Sequence, residues 1–69
     1  MSVILGSKLR TLRERSGMTT RMMGERIGKS HSQVTKYENG THEPTLTILL
    51  KYKEIFNVSL DYLCDDSKE

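Results

Sequence analysis

The chain has little from which to build cross-linked or metal-held structure. Cys64 is its single cysteine, which excludes an intramolecular disulfide, and His31 and His42 are the only histidines, which leaves no zinc-ligand spacing. No metal and no cofactor is expected. The N-terminal Met-Ser-Val-Ile-Leu-Gly meets charge at Lys8 and Arg10, and no run of 18 apolar residues follows. A signal-peptide core and a membrane span are therefore excluded, and the sequence reads as cytoplasmic with no membrane partner. Gly-x-Ser-x-Gly, a Walker loop and a paired-carboxylate pocket are all missing, so nothing supports an enzyme. With 69 residues there is room for one small domain, 1–69, and for no second catalytic one. Apolar residues make up 35%, below the globular average of about 45–50% that includes glycine, but above disordered composition. Helix packing or a partner subunit has to compensate for so small a core.

What is present is unevenly charged. Residues 1–36 carry eight basic groups (Lys8, Arg10, Arg13, Arg15, Arg21, Arg26, Lys29, Lys36) against Glu14 and Glu25, a net of +6. Residues 37–69 carry three lysines against seven acids, a net of −4, so the overall +2 conceals a basic half. Such a half favours a polyanionic partner, because each phosphate neutralised releases condensed counterions. An ordinary solvated surface explains the charge alone equally well.

Alternating apolar and polar runs are lacking, while helical spacing recurs five times, so the domain is all-α. Leu5, Leu9 and Leu12 define a first helix that ends near Ser16 before Gly17. Thr19 offers an N-cap to a second, with Met18 and Met23 at staple spacing, Ile27 inward, and Gly28 as the stop. Ser30 and Gln33 have the capping-box spacing of a third helix, which turns Val34 and Tyr37 inward and closes at Asn39-Gly40. Thr45 can cap a fourth, whose Leu46, Ile48, Leu49, Leu50, Tyr52, Ile55 and Phe56 span an arc of roughly 220° at about 100° per residue. Asn57-Val58-Ser59 breaks it, a short fifth helix bears Leu60 and Leu63, and Asp65 to Glu69 forms a frayed acidic tail. The methionines read as gap-filling core and surface, and Cys64 as a plain, partly buried thiol.

On the third helix Ser32, Thr35, Lys36 and Asn39 fall at i, i+3, i+4 and i+7, a polar stripe opposite Val34 and Tyr37 and flanked by His31 and Gln33. All six can hydrogen-bond and none is an acid that would repel phosphate, which suits the helix to a major groove. The run Thr19-Thr20-Arg21-Met22-Met23-Gly24-Glu25-Arg26-Ile27-Gly28-Lys29-Ser30-His31-Ser32-Gln33-Val34-Thr35-Lys36-Tyr37-Glu38-Asn39-Gly40 resembles the helix-turn-helix of the lambda-repressor-like, Xre-type DNA-binding family. Pro44 to Leu63 resembles the two helices that follow in that family. The resemblance covers about Lys8 to Leu63.

It implies a five-helix domain, with the helix-turn-helix at about 19–40 and residues 45–64 serving core and dimerisation. Base reading would fall to His31, Ser32, Gln33, Thr35 and Lys36, and phosphate contact to Thr20, Arg21, Asn39 and Thr41. Thr20 stands where glutamine is usual and has a shorter reach, so Arg21 is expected to share its role. The family also places an arginine and a glutamate at Arg13 and Glu38, each at the border of an apolar stripe, which implies a partly buried ion pair. Two departures stand out. Gly24 replaces the usual alanine, at an expected cost of about 0.5–1 kcal/mol. Lys53 falls within the apolar arc, where it is expected to snorkel or find an acid.

The function so implied is a sequence-specific, double-stranded DNA-binding regulator, a repressor, acting on a palindromic operator as a homodimer. Val58, Leu60, Tyr62 and Leu63 would supply the interface, with surplus apolar surface on the fourth helix. Alternatively the fifth helix folds back over Ile48, Tyr52 and Ile55 and leaves a monomer that dimerises only when DNA holds two copies together. With no sensing domain expected, control would come from concentration, dimerisation or a regulatory protein partner. The competing function is an antitoxin or anti-repressor type of protein-binding module on the same fold.

Overall fold

The computed structural model describes residues 2–64, without the side chains of Ser2, Val3 and Cys64. The expectations for the Cys64 thiol and for residues 65–69 lie outside the described residues. In chain order the helices are α1 (Ser2–Arg15), α2 (Thr20–Ile27), α3 (His31–Glu38), α4 (Leu46–Phe56) and α5 (Leu60–Cys64), and no strand occurs among the described residues.

Local chemistry fixes the boundaries. Thr19, Ser30 and Thr45 hold extended backbone, and each accepts through its hydroxyl an N–H three residues on, from Met22, Gln33 and Ile48. A cap of this kind is worth about 1 kcal/mol. Ser59 does the same for Tyr62 N–H at 3.0 Å. Gly28 ends α2 in the left-handed region at φ 75°, and Asn57 ends α4 there at φ 55°. Asparagine tolerates that region better than most side chains.

The core gathers Leu5 and Leu9 of α1, Met23 and Ile27 of α2, Val34 and Tyr37 of α3, Ile48, Leu49 and Tyr52 of α4, and Leu63 of α5. Leu12, Met18, Ile55, Phe56, Val58 and Leu60 pack around it. Leu63 is completely covered within one chain, which corrects its assignment to a dimer interface: its apolar surface is already spent on the core. Lys53 is exposed, in keeping with the expectation that it snorkels, and the helical wheel sets it beside the exposed Leu46 and Leu50, not among Ile48, Leu49 and Tyr52. The fourth helix therefore carries two apolar stripes, one buried and one open.

Gly24 proves to be a close-approach residue. A Cβ there would lie 2.5 Å from the Lys29 carbonyl oxygen, inside the turn between α2 and α3. The expected propensity cost is offset by packing that a side chain would obstruct. Gly6 does the same between α1 and α3, where a Cβ would collide with the Glu38 carbonyl oxygen and come within 2.7 Å of that of Tyr37.

Candidate nucleic-acid interface

The caps at Thr19 and Ser30, the left-handed Gly28 and the missing Cβ at Gly24 together set α3 against α2 through a tight turn. Val34 and Tyr37 anchor the inner side of α3. His31, Ser32, Thr35 and Lys36 consequently face solvent, and Gln33 is half-buried at the flank. Several of these groups are already engaged. The Thr35 hydroxyl donates to the His31 carbonyl at 3.1 Å, so it can offer only lone pairs outward. The expected capping box is half-formed: Ser30 accepts from the Gln33 N–H at 3.2 Å, but the Gln33 amide turns to the His42 ring instead of back to Ser30.

The four positions expected to touch phosphate lie around the ends of α2 and α3. Arg21, Asn39 and Thr41 are exposed, and Thr20 is half-buried. Asn39 accepts the Thr41 N–H through Oδ1 at 2.9 Å, which leaves the amide's N–H donors for another acceptor. Thr20, Thr35 and Asn39 line one depression of about 280 Å³ together with Arg10, Arg13 and Glu38. Arg21 and Thr41 do not line it.

Below this depression Arg13 joins three segments. Its Nε lies 2.7 Å from Glu38 Oε2, its Nη2 donates to Oε1 at 3.1 Å, and its Nη1 donates to the Met18 carbonyl at 2.7 Å. Both side chains are almost covered, 11% and 6% exposed. The hydrogen bond to Glu38 holds the guanidinium above its ordinary pKa, against the opposing effect of burial. Tyr52 lies in the same electrostatic neighbourhood, where burial first, and then the Glu38 charge, pushes its phenol up.

Four residues that the sequence gives no site role are placed by the structure. Arg10 is three residues before Arg13 and hence on the same side of α1, a periodicity that could have flagged it. Its Nε pairs with Glu14 Oε2 at 3.1 Å. Lys8 sits in the Leu5-Leu9 stripe and is buried, its Nζ donating to the Tyr62 carbonyl at 2.7 Å and lying 5.0 Å from that ring's centre. Lys51 reaches the Ile27 carbonyl at 3.3 Å and satisfies the end of α2. His42 lies in a loop, where no periodicity exists to reveal it.

The helix-turn-helix family's sequence profile matches residues 9–63, most of the chain. The chain belongs to the Xre-type, lambda-repressor-like helix-turn-helix family. That family comprises DNA-binding transcriptional regulators and not enzymes. The helix-turn-helix chain is 32% identical over 59 residues to the HTH-type transcriptional regulator ImmR of Bacillus subtilis, covering 86% of this chain and 46% of that protein. It is 30% identical over 67 residues to an uncharacterised HTH-type transcriptional regulator of Rhizobium meliloti, covering 97% and 48%. It thus spans about half the length of these curated relatives. Among solved structures, the P22 c2 repressor in complex with a synthetic operator superposes with a TM-score of 0.83 at 24% identity, covering 90% of this chain and 94% of that one. That likeness is one of fold. No helix among the described residues is long and apolar enough to cross a membrane.

Proposed function

We propose that this helix-turn-helix domain binds a palindromic operator in double-stranded DNA as a homodimer and represses transcription, working in the cytoplasm. The observation that carries the reading is the outer side of α3, where Ser32, Thr35 and Lys36 present donors and acceptors free of acids. A rigid inner side and the Arg13–Glu38 joint hold it in place. In this reading α3 enters the major groove, with His31, Ser32, Gln33, Thr35 and Lys36 reading bases. Thr20, Arg21, Asn39 and Thr41 then hold the flanking phosphates, the free N–H donors of Asn39 being suited to that task.

Dimerisation draws its support from exposed apolar surface. Leu46 is 63% exposed, Leu50 41% and Tyr62 39%, while Val58 and Leu60 are half-buried. Two copies would set two α3 helices about 34–36 Å apart, one turn of the duplex, and double the number of base pairs read. The exposed Leu46-Leu50 stripe also favours the second reading, a protein-binding module of the antitoxin or anti-repressor type.

Selection from a randomised duplex pool tests the primary reading. Enrichment of an inverted-repeat sequence, with affinity that falls steeply as salt rises, is the expected result. A folded protein that enriches no duplex, even at low salt, overturns it in favour of the protein-binding module.

A further inference from the structure

His42 is held beside α3 by two hydrogen bonds. Its backbone N–H donates to the Lys36 carbonyl at 3.2 Å, folding the loop back over the end of the helix. Its ring then meets the Gln33 side chain, with Gln33 Nε2 3.2 Å from His42 Nδ1. Gln33 and Lys36 are three residues apart and share a flank of α3, so the two bonds reinforce one placement of the ring.

The chemistry of the pair is directional. An amide nitrogen donates and cannot accept, so in this pairing Nδ1 is the acceptor, as in the ring tautomer protonated on Nε2. The Gln33 amide is thereby turned with its nitrogen to the ring and its Oε1 away from it. That oxygen has no hydrogen-bond partner among the described residues. A free glutamine can present either end of its amide to a base, whereas this one is set to accept.

We propose that His42 is a positioning residue for base specificity, fixing the Gln33 amide oxygen outward so that this position prefers a base with a major-groove donor. That donor is N6 of adenine or N4 of cytosine; guanine and thymine offer acceptors at O6 and O4. The inference rests on the groove reading proposed above and adds to it a loop residue that makes no base contact itself.

The experiment uses the whole chain and the randomised duplex pool. The base position read by Gln33 is the one whose preference disappears in Gln33→Ala. There the unsubstituted protein favours adenine or cytosine by about fivefold or more. His42→Asn, which retains an accepting oxygen near the place of Nδ1, keeps that preference. His42→Ala releases the amide and brings the four bases to within about twofold of one another. His42→Lys supplies only donors, turns Oε1 inward and shifts the preference toward guanine or thymine. Folded His42→Ala and His42→Lys proteins that retain the original preference overturn the proposal. A readout without DNA separates its failure from that of the groove reading. The Gln33 side-chain amide resonances should move in His42→Ala and not in His42→Asn, and unchanged resonances in both reject the positioning role. A pool in which nothing is enriched overturns the groove reading and, with it, the base preference assigned here.

Discussion

Arg13 and Glu38 meet side-on, with two parallel N–H···O bonds of 2.7 and 3.1 Å between nearly covered side chains. A pair in this setting contributes less through its own attraction than through what its removal leaves behind. Arg13→Met strands a buried carboxylate and frees the Met18 carbonyl, at a cost of about 3–5 kcal/mol. Thermal unfolding should show a large drop in midpoint, and Arg13→Met combined with Glu38→Leu should recover part of it. An unchanged midpoint in the single variant rules the joint out as a source of stability.

Tyr52 offers the opposite case. Its hydroxyl is buried with no hydrogen-bond partner among the described residues, so Tyr52→Phe loses no bond. Stability at neutral pH should stay level or rise by up to about 1 kcal/mol in chemical denaturation. The sign of the pH effect follows from the raised phenol pKa. Above about pH 10 the unfolded chain gives up this proton while the folded chain keeps it, so unfolding is favoured as pH rises. Below that value the contribution is fully retained, and Tyr52→Phe should remove this part of the alkaline loss.

Glycine substitutions separate propensity from packing. Alanine gains up to about 1 kcal/mol over glycine inside a helix. At Gly6 the new Cβ meets backbone from both Tyr37 and Glu38, and the strain outweighs that gain, for a net loss of about 1–3 kcal/mol. Gly24→Ala meets one close backbone oxygen and should cost less than Gly6→Ala. A stabilised Gly6→Ala protein contradicts the close approach of α1 and α3.

On DNA, Lys36→Ala should act in one of two recognisable ways. A base contact costs about 1–3 kcal/mol and relaxes one position; a phosphate contact weakens all sequences evenly and lowers the salt slope by roughly one. If a folded Ser32→Ala, Lys36→Ala double variant keeps both affinity and preference, α3 does not enter the groove through this side.

Sedimentation tests the dimer surface. Leu46→Glu, Leu50→Glu and Tyr62→Glu should give folded monomers with weakened binding to inverted repeats. Leu63→Glu should fail to fold, because its side chain is wholly inside. Unchanged self-association in all three surface variants points the interface elsewhere.

The helices were legible because their signals are local: hydroxyl caps at Thr19, Ser30 and Thr45, and breakers at Gly28 and Asn57, operate within one turn of chain. The inner residues of α3 were equally legible from period alone. Long-range geometry was not. Propensity alone makes Gly24 a weakness, because the Lys29 carbonyl packed against it comes from beyond the helix, and a wheel gives the width of the apolar arc around Lys53 without saying which part is covered. Leu63 lies in a C-terminal segment with little chain left to cover it, and only the packing of α5 against α1 and α4 shows it to be buried. Gln33 and His42 are nine residues apart across a loop, and their contact is written in no spacing.

The two sides of α3 differ in what a substitution there would disturb. Val34, Tyr37 and Glu38 hold the domain together, whereas the side chains of Ser32 and Lys36 make no hydrogen bond or ion pair among the described residues. Exchanges at the outer pair are uncoupled from folding, so a lineage can pass through many such variants without losing a working scaffold. Divergence among relatives should accumulate there faster than in the interior, and grafting a new outer pair onto this backbone is the economical route to a changed target.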